Sequence, residues 1–370
     1  MLEEFHVRNF KNFQDELIFS LKTDKNYEFS NQAISDGIIK DSVVLGYNAA
    51  GKTNLGYAIM DIVSHLTDNS VSKRSRILYT NLYSEENTAS FYYRFCFQKH
   101  QLEYIYVKTD SASIVRESIS IDGKAIIENS NRDIFTKLKG TENINIENVK
   151  ENLSFVKYIY ANSILDDSDV NCHVFRQFME YVNGMLMFSS TEGLKYNGFT
   201  NERGSITKAI CNQKKGVERL EKFLDSVDIK YKLFQKDAGE GEDDIFCKMG
   251  DKPVLFSSLL SSGTKSLCFF FYWYMQRENI SFVYIDEFDA FYHTDLSIGV
   301  LEYLIKEEFL QAVLSTHNTD IISNELLRPD CYFILKDNKI ESFNHKTNKA
   351  LREAHNLQKM YKAGAFNGEE

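Results

Sequence analysis

The stretch that most constrains this chain is Ser42–Leu55, where a short apolar run leads into a glycine-bearing loop and then a helical pattern. The loop reads Gly46-Tyr47-Asn48-Ala49-Ala50-Gly51-Lys52-Thr53, which is the spacing of a phosphate-binding loop (P-loop). Such a loop aims backbone N–H groups at one point, its lysine reaches the β- and γ-phosphates, and its threonine hydroxyl ligates Mg²⁺. The run Val43–Leu45 predicts a buried strand before the loop, and apolar residues follow it at helical spacing. This context favours a true P-loop over a chance glycine turn.

Length and composition predict a soluble globular protein with one large, elaborated domain or two domains, since the chain has 370 residues and is 43% hydrophobic. No apolar run approaches the length of a membrane helix, and Met1-Leu2-Glu3-Glu4 lacks the features of a signal peptide. The prediction is therefore a cytoplasmic protein without a membrane partner. The six cysteines include no Cys-x-x-Cys pair, which argues against zinc and against a disulfide framework.

The net charge of −10 gives no overall attraction to nucleic acid, so any such contact would need a local basic patch. Two basic clusters occur, Lys73–Arg76 and a group from Lys214 to Lys222. Such clusters are more often a solvated face than a phosphate grip. Nucleic acid remains a possible partner that the sequence does not indicate.

The first two-thirds of the chain predicts strands, then helices. Two strands are expected at Leu2–Val7 and Glu16–Leu21. The later β-rich runs, Ala89–Gln98, Glu103–Lys108, Ser113–Ile121 and Lys124–Glu128, predict an antiparallel sheet beside the P-loop sheet. A further strand is expected at Ser154–Ala161, and helices at Val170–Met187 and Ser205–Val227, separated by the loop Gly193–Gly204. A hairpin follows from the runs Ile229–Gln235 and Ile245–Met249.

The last third returns to alternating helices and buried strands. The predicted elements are a helix at Ser266–Gln276, a strand at Ser281–Ile285, a helix at Asp295–Ile305, a strand at Ala312–Ser315, a hairpin at Cys331–Phe343 and a helix at Leu351–Tyr361. The chain thus divides into residues 1–125, the start of an α/β unit; 126–250, an accessory helical and hairpin lobe; and 251–370, the rest of the α/β unit.

A second phosphate-chemistry motif lies at Phe282–Glu287, an apolar strand that ends in two adjacent carboxylates. This is the form of a Walker B element. Asp286 would hold Mg²⁺, and Glu287 would polarise the water that attacks the γ-phosphate. An acidic pair at a strand end is commonly a solvated turn or a helix cap. Downstream of a P-loop in the same chain, it instead predicts ATP hydrolysis.

Between these motifs lies Leu260-Ser261-Ser262-Gly263-Thr264-Lys265, followed directly by an apolar helix. A serine and a glycine at a helix N-terminus can bind phosphate through N–H groups, a hydroxyl and the helix dipole. Taken alone, Ser261 could be an ordinary N-cap. Leu-Ser-x-Gly shortly before a Walker B strand resembles the signature motif of ABC-type ATPases, which closes over the nucleotide held by a partner subunit.

Further positions extend that resemblance. Asp289 matches the D-loop, and His317 matches the switch histidine that senses the γ-phosphate after the next strand. The family's Q-loop glutamine, a metal ligand, has its best match at Gln98. The segment Val7–Phe13 resembles the opening of ATPases related to structural-maintenance-of-chromosomes (SMC) and double-strand-break-repair proteins, where Lys11 matches a basic residue beside the nucleotide.

Together with the run Asn356–Gly364, these motifs resemble the OLD-like group of AAA/ABC ATPases, often found in bacterial anti-phage defence. The resemblance implies an α/β P-loop NTPase of the ABC/SMC head type, with an antiparallel β-subdomain and a helical accessory lobe. It implies ATP and Mg²⁺ as ligands. The implied catalytic residues are Lys52, Glu287 and His317; the nucleotide contacts are Lys11, Asn48, Ala49, Ala50, Gly51, Lys52, Thr53, Asn54, Ser261, Gly263 and Asp289; and the metal ligands are Thr53, Asp286 and Gln98.

Two functions remain open. In the first, the protein is an ATP-hydrolysing switch that dimerises, or forms a larger homo-oligomer, on nucleotide and controls a separate effector such as a nuclease or toxin. Some members of the group carry a nuclease domain after the ATPase, but only some fifty residues follow His317, too few for such a domain. In the second, it is a DNA-repair or chromosome-handling ATPase that binds nucleic acid itself. The acidic balance and the absence of long heptad runs favour the first.

Overall fold

The computed structural model describes residues 1–69, 73–130, 133–145, 153–190, 196–199, 205–239, 243–308 and 310–367. Its strands are, in chain order, β1 (Leu2–Arg8), β2 (Leu17–Ser20), β3 (Ile34–Ser35), β4 (Ile38–Ile39), β5 (Asp41–Leu45), β6 (Ala89–Phe97), β7 (His100–Lys108), β8 (Ile114–Ile121), β9 (Lys124–Asn129), β10 (Ile134–Thr136), β11 (Met185–Ser189), β12 (Tyr196–Gly198), β13 (Leu233–Asp237), β14 (Asp243–Met249), β15 (Lys252–Leu255), β16 (Phe282–Asp286), β17 (Gln311–Thr316), β18 (Tyr332–Lys336) and β19 (Lys339–Ser342). Its α-helices are α1 (Lys52–Ile59), α2 (Val63–Leu66), α3 (Lys73–Arg76), α4 (Phe155–Asn162), α5 (Val170–Asn183), α6 (Ile206–Cys211), α7 (Gly216–Ser226), α8 (Ser262–Tyr274), α9 (Thr294–Ile305) and α10 (Leu357–Lys362).

The central sheet has the strand order β12-β11-β16-β17-β5-β18-β19. Strands β11, β16, β17, β5 and β18 run parallel, and the two edge strands run antiparallel to their neighbours. The parallel strands are almost continuously apolar and buried, as expected for a sheet covered on both faces. Their carboxyl ends meet at one edge of the sheet, where ligands bind in folds of this kind.

A second sheet is antiparallel, with the order β10-β9-β8-β7-β6-β1-β2. Alternate residues of β6 are buried, so one face of this sheet is an aromatic layer. Phe178 of α5 packs against that layer, with its ring centroid 5.3 Å from Phe95 and 5.6 Å from Tyr104. The predicted fold class, an α/β P-loop NTPase with an antiparallel β-subdomain and accessory helices, is confirmed.

Residues 154–161 form a helix rather than the predicted strand. Ser154 is the N-cap of α4, and its hydroxyl accepts a hydrogen bond from Lys157 N at 3.1 Å. The buried carboxylate of Glu117 accepts further hydrogen bonds from Phe155 N and Val156 N. Because a carboxylate at a helix N-terminus satisfies amides that have no intrahelical partner, this tertiary contact overrides the β-branched local pattern.

The predicted helix Val170–Met187 ends early, at Asn183. Gly184 follows, and Met185–Ser189 becomes β11, which pairs with the Walker B strand from Met185↔Phe282 to Ser189↔Asp286. The segment 126–250, expected to be an accessory helical and hairpin lobe, supplies a strand to the central sheet. Within the same segment β10 extends the antiparallel sheet, and α7 lies next to α8 through contacts such as Phe223 with Phe271.

Two other predicted helices are shorter than expected. Ser205–Val227 is divided into α6 and α7 by a turn at residues 212–215, and the last helix begins at Leu357 instead of Leu351 because Asn356 caps it. Of the loop Gly193–Gly204, only residues 196–199 lie inside the described ranges. The predicted hairpins at the second sheet and at β18–β19 are confirmed.

Candidate functional site

The P-loop joins β5 to α1 at the carboxyl edge of the central sheet. Gly51 is the N-cap of α1, with φ at 102°, in a region that favours glycine. A Cβ at this position would stand 2.6 Å from the side-chain nitrogen of Asn12, so only glycine fits under that side chain. Asn48 and Ala49 are exposed, and Ala50 is half-buried. The N–H groups in the first turn of α1 have no intrahelical partners and face the P-loop.

Lys52 is the first residue of α1 and is only 5% exposed. Its Nζ donates hydrogen bonds to the carbonyls of Gly46, at 2.8 Å, and Tyr47, at 3.2 Å. Burial lowers its pKa, while the nearby carboxylates of Glu287, Asp286 and Asp289 oppose this shift. The ammonium group therefore lies across the loop, where phosphate oxygens can take the place of the two carbonyls.

Tyr284 fixes the P-loop helix to the Walker B strand. Its hydroxyl donates to the carbonyl of Lys52 at 2.6 Å. The ring comes so close to α1 that a Cβ on Gly56 would lie 2.7 Å from it, which accounts for a glycine inside this helix. Neither residue was singled out from the sequence, because the contact depends on α1 and β16 lying side by side.

The structure brings Thr53 and Asp286 together as predicted. The Thr53 hydroxyl donates to Asp286 Oδ2 at 2.7 Å, and the Ser315 hydroxyl donates to Asp286 Oδ1 at 2.6 Å. Asp286 is 2% exposed, and burial raises its pKa. A buried carboxylate beside a threonine hydroxyl is the oxygen donor set that Mg²⁺ prefers, and a cation there would offset the cost of burying the charge. The residues therefore fit the ion.

Glu287 follows Asp286 in a strained conformation, with φ at 47° in the left-handed region. Its N–H donates to the Ser315 hydroxyl at 3.0 Å, and the next amide, of Phe288, donates to the Ser315 carbonyl at 3.2 Å. Backbone strain of this kind costs free energy and persists at functional sites when its surroundings hold it. Ser315 thus orients both acidic residues, a role the sequence did not reveal because it needs β17 beside β16.

Asp289 and His317 lie at the same edge of the central sheet, just after the ends of β16 and β17. Asp289 is 6% exposed; its Oδ1 accepts from the Thr316 hydroxyl at 2.7 Å, and its Oδ2 has no hydrogen-bond partner among the residues described. His317 comes directly after β17 and is exposed to solvent. The two predicted positions are therefore neighbours, joined through Thr316.

The predicted signature residues lie at the start of α8. Ser261 is exposed and is the N-cap, with its hydroxyl accepting from Thr264 N at 3.1 Å. Gly263 packs against the D-loop backbone, because a Cβ there would stand 2.8 Å from the carbonyl oxygen of Phe291. The N-cap interpretation of Ser261 is thus confirmed, and its hydroxyl also lies 2.9 Å from the Thr264 hydroxyl.

A cavity of about 460 Å³ opens beside the P-loop. Lys11, Asn12, Asn54 and Asn338 line one part, and exposed apolar side chains of residues 77–83 line another. Asn12 links the P-loop helix to the β18–β19 turn: it accepts from Asn54 at 2.6 Å and donates to Asn338 at 2.9 Å.

Lys11 faces this cavity, but its ammonium group donates to the carbonyls of Arg74, at 3.1 Å, and Ile77, at 2.8 Å. Burial lowers its pKa to about 8.

Gln98 does not join the site. It lies in the turn between β6 and β7. Two residues before it, the carbonyl of Cys96 accepts a hydrogen bond from the amino group of Met1 at 2.7 Å. The next residue, Leu2, donates through its N–H to Gln311 at the start of β17, so Gln98 lies near the amino end of that strand. The P-loop lies at the opposite end of the parallel strands. At about 3.3 Å per residue, β17 separates the two ends by about 16 Å. The prediction that Gln98 ligates the metal is corrected accordingly.

The geometry defines the class of protein: a P-loop NTPase in which Walker A, Walker B and a following strand end meet at one sheet edge. A sequence family described as "AAA domain, putative AbiEii toxin, Type IV TA system" matches residues 42–323. The chain belongs to this family. None of the curated proteins matches the sequence. No helix in the described ranges has the length and apolar character of a membrane span.

Several solved structures are similar to this chain, at 14% sequence identity each. An SMC head bound to the C-winged helix domain of ScpA has a TM-score of 0.49, with 92% of this chain and 97% of that chain covered. The SMC head domain from Thermotoga maritima has a TM-score of 0.44 with the same coverage. The recombination mediator protein RecF of the RecFOR pathway has a TM-score of 0.39, with 92% and 98% covered.

Proposed function

We propose that this protein hydrolyses ATP with Mg²⁺ and uses the reaction as a switch. The observation that carries the proposal is the meeting of Thr53 and Asp286 at 2.7 Å beside the buried ammonium group of Lys52. Two oxygen ligands for a metal and one fixed cation for phosphate are the parts that phosphoryl transfer requires. Mg²⁺, when bound, would neutralise charge on the β- and γ-phosphates.

Each residue then has a definite task. Lys52 and the first-turn amides of α1 bind and orient the triphosphate, and Thr53 and Asp286 hold the metal. Glu287 accepts a hydrogen bond from the attacking water and orients it, with its backbone held by Ser315. His317 donates to the γ-phosphate. We place the nucleoside in the cavity beside Lys11, Asn12 and Asn54.

Replacement of Glu287 tests the assignment. Glu287→Gln keeps the shape of the side chain but cannot take up the proton of water, so kcat should fall by about a hundredfold or more while ATP affinity stays within about threefold. Glu302→Gln, an exposed change on α9, is the matched control and should hydrolyse ATP normally. Near-normal turnover by Glu287→Gln, or loss of ATP binding, contradicts the assignment.

We further propose that the active unit is a pair of chains in which Ser261 and Gly263 of one copy complete the γ-phosphate site of the other, with Asp289 at the interface. The exposed position of Ser261 at the start of a 13-residue helix supports this, because a P-loop leaves the γ-oxygens open on one side. Such a pair would contain two identical composite sites.

Ser261→Arg should bind ATP but fail to associate on ATP. Mixed with Lys52→Ala, it can form one intact site per pair, so the mixture should regain hydrolysis that neither variant has alone. No regain, together with a Glu287→Gln protein that stays monomeric in saturating ATP, contradicts the paired site.

The switch is proposed to control a separate effector in bacterial anti-phage defence. The resemblance to the OLD-like group supports this, as does the family description, which names a toxin of a toxin–antitoxin system. The purified protein should hydrolyse ATP and leave DNA, RNA and NAD intact, and it should co-purify with a neighbouring gene product. Salt-dependent DNA binding without such a partner would instead favour the DNA-handling function.

A further inference from the structure

The switch histidine stands on a segment that is fixed from both sides. His317 itself is exposed, and within the described residues its imidazole has no hydrogen-bond partner. On one side Thr316 donates to Asp289 at 2.7 Å and accepts from Asn318 N at 2.8 Å. On the other, Asn318 caps a 3-10 turn at Thr319–Ile321, accepting from Asp320 N at 2.9 Å. The backbone that carries the imidazole is therefore held by its neighbours on both sides.

The far side of this segment is bound to α10. Asp320 Oδ1 accepts from Gln358 Nε2 at 2.6 Å and from Lys362 Nζ at 2.9 Å. Gln358 and Lys362 are four residues apart, so they share one face of the helix. Two donors from one helix face on a single carboxylate oxygen connect the switch segment to α10 at one point.

The helix α10 is itself anchored elsewhere in the fold. The ring of Tyr361 stacks on Phe343 at 5.7 Å, and Phe343 stacks on Phe366 at 4.2 Å. The Asn324 amide donates to the carbonyls of Arg352, Glu353 and His355, which precede the helix. Burial and the neighbouring Tyr47 raise the pKa of Tyr361, so this face of α10 lies close to the P-loop.

We propose that Asp320, Gln358 and Lys362 are positioning residues that hold His317 in line with the γ-phosphate. The inference rests on the proposed function, in which His317 contacts that phosphate. An exposed histidine on a short bend has several orientations available, and α10 restricts them by holding Asp320 against the body of the protein. Because the bonds to Asp320 are half-exposed, they guide the segment without contributing much to the stability of the fold.

The test is steady-state ATP hydrolysis by the full chain. Asp320→Ala, and the helix-side pair Gln358→Ala with Lys362→Ala, should each lower kcat by about five- to tenfold with the KM for ATP within about twofold. Lys359→Ala, an exposed change on the same helix, is the matched control and should leave both unchanged. The charge-exchanged double variant Asp320→Lys with Lys362→Glu should recover at least half of the kcat that Asp320→Lys alone loses.

The His317→Ala background separates positioning from a general structural effect. In that background Asp320→Ala should lower kcat no further, because the group it positions is gone. An equal loss with and without His317 would overturn the inference, as would unchanged kcat in Asp320→Ala and in the helix-side pair when His317→Ala is strongly impaired. If His317→Ala itself hydrolyses ATP normally, the proposed role of His317 fails and this inference fails with it.

Discussion

Two buried charge clusters lie at either end of the P-loop helix, and they differ in the partners of their buried lysines. At its start, Lys52 is bonded only to carbonyls of its own loop, and Asp289 keeps one oxygen without a partner among the described residues. At its far end, Lys108 donates to Asp61 at 2.7 Å and to Ser64 at 2.8 Å.

Beyond Lys108, the second cluster continues through the aromatic layer. Tyr106 donates to Asp61 at 3.1 Å, and Tyr104 and Ser154 donate to Glu117 at 2.7 and 2.9 Å. His65 Nε2 lies 2.9 Å from the Tyr104 hydroxyl, and burial lowers the pKa of His65, so the ring is neutral. Each of the two carboxylates accepts from at least two side-chain donors, which is typical of a structural network, although His65 Nδ1 has no hydrogen-bond partner among the described residues. In the first cluster the buried lysine has only carbonyl partners, and in the second it has a carboxylate partner.

The sharpest test of this contrast is Lys108→Met, which should destabilise the fold by about 3–5 kcal/mol because it leaves Asp61 buried without its cation. Adding Asp61→Leu should restore part of that loss, since no charge then remains. Denaturant unfolding measures both, and ATP affinity of the folded variants should stay within about threefold. Lys124→Met, at an exposed position, is the control, with an expected effect below about 0.5 kcal/mol.

A third buried ionisable group, Asp41 at the start of β5, predicts that the unfolding free energy depends on pH. Burial raises its pKa to about 7, opposed by Lys40, whose Nζ lies 3.2 Å away. The folded protein thus holds a proton between about pH 4 and 7 that the unfolded chain has released, so this group's contribution to the unfolding free energy falls by about 1.4 kcal/mol per pH unit in that range.

Asp41→Asn should remove this dependence. Between pH 5 and 7 the unfolding free energy of the variant, measured by denaturant titration, should rise by about 2–3 kcal/mol relative to that of the parent protein. Asp225→Asn, at an exposed position, should follow the parent protein within about 0.5 kcal/mol at each pH. If the unfolding free energies of Asp41→Asn and the parent protein change in parallel with pH, Asp41 is charged in the folded protein.

Lys52→Ala is the counterpart of the Lys108 variant at the first cluster. It should raise the Kd for ATP by about 10- to 100-fold, because a charge-assisted bond to phosphate is lost. The unfolding free energy should not fall, since the lysine is buried at a cost that its loop carbonyls only partly offset. Isothermal titration and denaturant unfolding measure the two quantities. A large loss of stability would show that Lys52 stabilises the fold, as Lys108 is expected to do.

Ser315→Ala gives the smallest expected effect. It removes the donor to Asp286 and the acceptor of Glu287 N, so kcat should fall by about tenfold and stability by about 1–2 kcal/mol. The matched control is Ser297→Ala, another fully buried serine, whose hydroxyl donates to the His293 carbonyl on α9. That variant should lose stability to a similar extent and hydrolyse ATP normally.

Sequence reasoning succeeded where the signal is local. The P-loop and the Walker B strand each occupy a few consecutive residues with fixed chemistry, and the structure joins them as expected through Thr53 and Asp286. The antiparallel sheet was also predictable, because its strands follow one another with clear alternation.

The errors arose where tertiary contacts decide. Met185–Ser189 continues a helical apolar pattern and becomes a strand only because β16 lies beside it. Gln98 was placed by its order in the chain, although the hairpin carries it to the other end of the sheet. The roles of Ser315 and Asp320 depend on neighbours far away in sequence, so no short sequence motif predicts them.

The order of the central sheet has a consequence for synthesis. The strand β5 has β17 and β18 as its neighbours, which follow it by about 260 residues or more. At about 5–20 residues per second, a ribosome needs about 13–50 s to make the chain between them. Throughout that interval Val43, Val44 and Leu45 have no partner strand. A nascent chain therefore has no partner for this apolar strand, and no complete nucleotide site, until most of the protein has been made.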